Sequence, residues 1–310
     1  MDYTAMISRL GEEALSQRLR RQVEHAAELV HQGEGILRLE EYVDIDALAA
    51  WVVKASGLYR IGYRNFMDLR LERNEIRLKG LPGGLDGFRI LQLSDLHLDL
   101  EPALTPVVLE RIASVEYDLA VMTGDYRNST RQDYRPSMEE TTRVIAALRQ
   151  PVYGILGNHD FLEKAPLLEA AGMRLLLNES ALLPAGGAGL FLAGIDDPHF
   201  YRTHDIARAT RGRPAGAVSL LLSHSPETYR QVEEAGYDLM FAGHTHGGQI
   251  CLPGGIPIIR NGKCPARLRS GPWKYGRLQG YTSRGTGSTG VPIRLFCPPE
   301  ITLHTLRPAG

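Results

Sequence analysis

Five short segments of this 310-residue chain end in side chains able to bind a cation. They read Ser94-Asp95-Leu96-His97, Thr123-Gly124-Asp125, Gly157-Asn158-His159-Asp160, Ser223-His224 and Gly243-His244-Thr245-His246. The groups on offer are carboxylate, imidazole and carboxamide. Mixed nitrogen and oxygen donors suit first-row divalent ions such as manganese, iron, zinc or cobalt better than calcium or magnesium. Each segment closes a short apolar run; Tyr237 to Phe241, for example, leads into the last. In open α/β sheets ligands bind outside the carboxyl ends of the strands, so groups at five strand ends can meet in one crevice. A lone Asp-x-His or His-x-His is more often a polar turn or a surface pair. Five such pieces, all at the same kind of place, point to a metal centre.

The elements that must position these groups are legible from Phe88 onward. Apolar runs at 88–93, 118–122, 152–156, 174–177, 190–195, 219–222 and 239–241 alternate with helix-like stretches at 106–115 and 138–148. That alternation is expected of an α/β domain whose strands are buried on both faces. Residues 1 to about 70 read as helical. Leu15, Leu19, Val23, Ala26 and Val30 repeat at helical spacing among Arg18, Arg20, Arg21 and Glu24. A second segment, with Asp44 as N-cap and Ile45, Leu48, Val52 and Ala55 on one face, ends at Gly57. Asn74 to Leu78 alternates like a strand, and the turn cluster 81–87 places a boundary there. The expected division is a helical extension over 1–80 and a catalytic domain over 81–310. The tail, through 294–296 and 301–306, is expected to close with antiparallel strands.

Composition excludes several classes. The formal net charge is −1, so no basic field for nucleic acid exists. Cys251, Cys264 and Cys297 form an odd set without a C-x-x-C pair, which argues for buried thiols in a reducing compartment. No basic n-region precedes an apolar h-region. The expected location is therefore cytoplasmic, peripheral at most to the inner face of the membrane.

In order, Asp95-x-His97, Gly124-Asp125, Gly157-Asn158-His159-Asp160, His224 and Gly243-His244-Thr245-His246 resemble the motifs of the calcineurin-like metallophosphoesterases. The likeness runs from about Phe88 to the C-terminus. It implies a two-sheet sandwich flanked by helices (αββα), here with an N-terminal helical extension, and two divalent metals in a cleft. Asp95, His97 and His246 would hold one metal. Asn158, His224 and His244 would hold the other, with Asp125 bridging. His159 would be the acid beside the leaving group, oriented by Asp160. The stretches 88–97, 247–249 and 284–301 look like a bacterial phosphodiesterase branch that includes UDP-2,3-diacylglucosamine pyrophosphatases, although the best-known enzymes of that activity carry Arg where His159 stands.

Physical chemistry gives the same reading of the site. Metals lower the pKa of bound water from about 15.7 towards 7, so a bridging hydroxide is available to attack phosphorus in line. A histidine outside the ligand set can protonate the departing oxygen. Arg127, two residues past Asp125, is a candidate phosphate contact through its fork, and His199 in Asp196-Asp197-Pro198-His199 a candidate for the cleft wall. His25, His31, His204 and His304 fall outside any constellation. The expected function is a phosphodiesterase or pyrophosphatase using two divalent ions, manganese first and zinc or iron as alternatives, with a lipid-linked nucleotide as candidate substrate. Arg18, Arg20 and Arg21 beside an apolar helix face, with Trp51, Tyr59, Tyr63 and Phe66 following, suggest a lid or a contact with anionic headgroups; packing on the catalytic domain is the alternative. A nuclease or a non-catalytic scaffold on the same fold are rival readings.

Overall fold

The computed structural model describes residues 3–27, 57–130, 132–185, 188–258 and 262–310. The expected helix from Asp44 lies outside these residues up to residue 56, as do Val30, His31 and Trp51.

Two six-stranded sheets stack face to face. The first has strand order β1-β14-β2-β3-β4-β5, with β1 Arg70–Leu78, β2 Arg89–Leu93, β3 Leu119–Met122, β4 Val152–Gly154, β5 Met173–Leu175 and β14 Glu300–Pro308. The second has order β12-β13-β9-β8-β7-β6, with β6 Glu179–Ala185, β7 Ala188–Gly194, β8 Val218–Leu222, β9 Leu239–Ala242, β12 Gly271–Tyr275 and β13 Leu278–Thr282. β2 through β5 run parallel, as do β7, β8, β9 and β13. The two short strands β10 Cys251–Leu252 and β11 Ile256–Pro257 pair separately.

Burial on both faces explains the apolar runs. Along β2, Ile90 enters the layer between the sheets, while Leu91 and Leu93 pack towards the helices. Along β8, Leu220 and Leu222 face the same inner layer and Leu221 the outer one. Helices α3 Leu104–Ala113 and α4 Arg135–Ala147 cover the first sheet with Val108, Ile112, Val144 and Ile145. Both helices fall where the sequence places them.

β14 runs antiparallel to β2, as expected of a closing strand, and parallel to β1. Arg294 to Phe296 form no strand; Leu295 makes one bridge, to Ile250. The expected boundary near residue 80 follows β1, which is itself an edge strand of the first sheet. Helices α1 Tyr3–Leu10 and α2 Glu12–Ala27 join the core of that sheet through Met6, Leu10 and Leu15. The three cysteines are free and buried. Among the described residues no helix is long and apolar enough to cross a membrane.

Candidate metal centre

Asp95 and His97 leave β2, Asp125 leaves β3, Asn158 and His159 follow β4, His224 leaves β8, and His244 and His246 leave β9. Five parallel strands of two sheets thus aim their carboxyl ends at one place. The loops are tight. Asp95, His97, Asp125, His244 and His246 all have positive φ, between 42° and 70°. Non-glycine residues adopt that conformation rarely, at a cost of order 1–3 kcal/mol each, and chiefly where function requires it. Gly157 and Gly243 permit the crowding. A Cβ on Gly157 would collide with the Asp125 carboxylate, and one on Gly243 with Ser94 and Asp95.

The donors form two buried groups, Asp95-His97-His246 and Asp125-His224-His244, with donor atoms in each within 4.8 Å of one another. Asp125 stands between them. Its Oδ2 lies 3.2 Å from His224 Nε2 and 3.8 Å from His97 Nε2, so one oxygen faces both groups. Its Oδ1 accepts from the His159 amide at 2.8 Å. Asn158 Oδ1 lies 2.9 Å from His224 Nε2, beside the second group.

Tautomers follow from partners, because a carbonyl only accepts. His97 Nδ1 donates to the Arg127 carbonyl at 2.7 Å and His224 Nδ1 to that of Thr123 at 2.8 Å. With Nδ1 so committed, each ring turns Nε2 inward, the nitrogen that metal-binding histidines offer. At His224 that nitrogen faces two acceptors, Asn158 Oδ1 and Asp125 Oδ2. Burial lowers the His224 pKa, but Asp125 and then Asp95 outweigh it and push it up to about 10, so the pocket demands positive charge. Burial depresses His97 to about 4. His97 Nε2 and His244 Nε2 are buried with no hydrogen-bond partner. Orphaned polar nitrogens of this kind are costly unless something binds them. The donor set fits two divalent cations.

Around these groups the structure redistributes the other expected roles. His159 donates Nδ1–H to the Asn128 carbonyl at 2.5 Å and places Nε2 3.9 Å from Asp125 Oδ2, at the edge of the centre. The expectation that Asp160 orients this ring is corrected. The Asp160 carboxylate accepts from the amides of Asp125 (2.7 Å), Gly157 (2.9 Å) and Tyr126 (3.0 Å), and pairs with buried Lys164 at 2.6 Å. It holds the Asp125 and His159 loops together through their backbones. Burial pushes Lys164 down to about 8 against the pull of Asp160. Arg127 is buried; its Nε and Nη2 donate to the carbonyls of His159 and Thr130, and its plane lies over Phe161. Those two nitrogens are thus committed to the loop rather than offered to phosphate. The His199 ring lies 4.1 Å from that of His244, with its Nδ1 3.1 Å from Glu227.

Three residues at the site escaped sequence reasoning. Arg18, expected on a headgroup-facing surface, is fully buried and bonds Asp196 at 3.0 Å and the Asp160 carbonyl at 2.8 Å. The reading of its helix as a basic membrane face is corrected at that residue: the guanidinium belongs to the interior. His25 packs 6.1 Å from His159. Arg294, buried, donates to the His246 carbonyl at 3.0 Å and braces the loop that carries both final histidines. None has a local signal in the sequence. His204 stays outside the two donor groups, and His304 stays in the interior.

Residues 88–248 match the family model described as calcineurin-like phosphoesterase. The metallophosphoesterase YkuE of Bacillus subtilis (strain 168) is 32% identical over 280 residues, covering 84% of this chain and 94% of the relative. YkoQ of the same organism, also named a metallophosphoesterase, is 30% identical over 256 residues, covering 78% and 92%. The phosphodiesterase YaeI of Escherichia coli (strain K12) is 28% identical over 282 residues, covering 84% and 97%.

Proposed function

This chain belongs to the calcineurin-like phosphoesterase family and is a metal-dependent phosphoesterase; on that premise we propose that it hydrolyses a phosphodiester or pyrophosphate. The observation that carries the reading is the pair of buried donor groups facing one another across Asp125 Oδ2, with orphaned nitrogens on His97 and His244. Asp95, His97 and His246 would hold one ion; Asn158, His224 and His244 the other; Asp125 would touch both. Manganese is our first assignment, since mixed imidazole and oxygen donors suit it. Bound ions supply Lewis-acid charge for the phosphate oxygens and lower the pKa of a bound water.

The chain's own residues do the rest. Asn128 holds the His159 ring with Nε2 towards the centre, and Nε2 carries the proton delivered to the leaving oxygen. His199, steadied by Glu227, forms the wall beside His244 and contacts the substrate there. The likeness to a phosphodiesterase over nearly the whole of both chains supports a diester over a monoester. Within that class we assign a lipid-linked nucleotide such as UDP-2,3-diacylglucosamine, met on the cytoplasmic side, as the candidate natural substrate.

Elemental analysis of the purified protein, followed by a substrate panel, tests this. We expect two divalent ions per chain and faster turnover of bis-p-nitrophenyl phosphate than of p-nitrophenyl phosphate. A nucleotide-diphosphate lipid should be cleaved, and single-stranded DNA left intact. A monoester preference would overturn the diester assignment. Cleavage of soluble diesters but not of the lipid would overturn the lipid assignment alone.

A further inference from the structure

Helix α2 lies outside the matched residues 88–248, yet it is tied to the two loops that flank His159. Arg18 bridges them, with Nε on Asp196 and Nη2 on the Asp160 carbonyl, and its guanidinium lies 3.2 Å above the Tyr201 ring. One turn on, Gln22 accepts from the Leu162 amide at 2.8 Å and donates to Glu163 at 3.2 Å. One further turn brings His25 to the centre. These three residues share a helix face at spacings of four and three, so fixing the first two fixes the third.

His25 completes a file of rings. His246 stacks on His97 at 5.2 Å, His97 meets His159 edge to face at 5.2 Å, and His159 meets His25 at 6.1 Å and 63°. His25 in turn stacks on Phe200 at 4.1 Å and 28°, with Nδ1 3.3 Å from the Tyr201 hydroxyl. The His159 ring is therefore packed between a metal-ligand candidate on one side and the N-terminal helix on the other. Its one ring hydrogen bond, to Asn128, leaves rotation about that bond open. Contacts on both sides close it.

We propose that α2 is part of the catalytic apparatus, with His25 a positioning residue that holds the His159 ring where its Nε2 can reach the leaving oxygen. This rests on the reading of His159 as the acid. Misplacing a reacting group by about 1 Å can cost 10²-fold in rate, so a ring contact of this kind can matter without touching substrate. Burial and the neighbouring His159 depress His25 to about 4, so it presents an uncharged ring.

A double-mutant cycle on the full, metal-loaded chain tests this, using His25→Ala, His25→Phe, His159→Ala and the His25→Ala/His159→Ala pair. Metal content is measured for each. Substrates are bis-p-nitrophenyl phosphate and a dialkyl-type diester. His25→Ala should lower kcat on the alkyl leaving group by roughly 10- to 100-fold, with KM and metal content unchanged and a much smaller loss on p-nitrophenolate, which needs no proton. His25→Phe should recover most of the rate. In the His159→Ala background His25→Ala should cost nothing more. Multiplying losses in the pair, or equal losses on both leaving groups for His25→Ala but not for His159→Ala, would overturn the proposal. Equal losses for both single variants would overturn the acid reading of His159 while the cycle still reports the coupling. A crystal structure of the His25→Ala protein gives an arm independent of turnover: the His159 ring should turn about its Asn128 bond and carry Nε2 away from Asp125 Oδ2, and an unmoved ring refutes the positioning role.

Discussion

Asp125 reaches three imidazoles and one backbone amide of the centre through two oxygens. Oδ1 fixes the His159 amide, and Oδ2 faces His224, His97 and His159 at 3.2, 3.8 and 3.9 Å. Burial raises its pKa, but the surrounding imidazoles, His224 first, outweigh that and hold the carboxyl well below the usual carboxylate range. A carboxylate shared by two coordination groups cannot be replaced by either group alone. Asp125→Ala should therefore lose both ions together, and activity by more than the 10–100-fold that outer ligand partners usually cost. Elemental analysis beside initial rates checks this. Retention of two ions at wild-type affinity would disprove the shared role.

Among the elements, the strand-to-loop turns carry the strain, and Asp160 sets them. Three backbone amides, from Asp125, Tyr126 and Gly157, converge on its carboxylate, with buried Lys164 as counter-ion. These turns hold Asp125 at φ 58° beside the close approach of Gly157. Removing the carboxylate leaves a buried ammonium and three amides without their acceptor. Losing one partner of a buried ion pair typically costs about 3–5 kcal/mol. Asp160→Ala should thus lower unfolding free energy in urea by about that amount, and weaken metal binding although Asp160 touches no metal site. A variant with wild-type stability and metal content would show that the loop needs no such brace.

Across the whole molecule, the two sheets are joined by a polar bridge beneath the centre. His304 on β14 lies between Gln92 and Asn74, 3.0 Å from each, and stacks on Phe241 of the opposite sheet at 4.0 Å. Gln92 crosses the layer to the Ala242 carbonyl at 3.0 Å. Burial lowers the His304 pKa to about 3 from an ordinary 6.5. The unfolded chain therefore takes up this proton first as pH falls. The contribution of neutral His304 is fully present above pH 6.5 and is lost as pH drops from 6.5 towards 3. Its share of the stability slope approaches about 1.4 kcal/mol per pH unit in that window. Urea unfolding at pH 7 and pH 5 should show wild type losing more stability on acidification than His304→Gln. Equal losses would mean that His304 is already charged in the fold.

Sequence by itself determined the candidate donors and the kind of sheet that presents them. Asp95, His97, Asp125, Asn158, His224, His244 and His246 sit at the ends of apolar runs, and a strand end next to a short loop is a local pattern written in adjacent residues. Strands buried on both faces likewise announce themselves as unbroken apolar runs. The tertiary structure decided everything that depends on partners far along the chain. Arg18 meets Asp196, 178 residues away, and Gln22 meets Leu162, 140 residues away. Among local neighbours a buried arginine and a surface arginine read alike; only the distant partner that offsets desolvation distinguishes them. The same holds for Arg127, whose fork serves the loop, and for Asp160, whose role lies in amides that other strands deliver. His25 looked solitary because its ring partners, His159 and Phe200, come from loops that only the folded sandwich brings to the N-terminal helix.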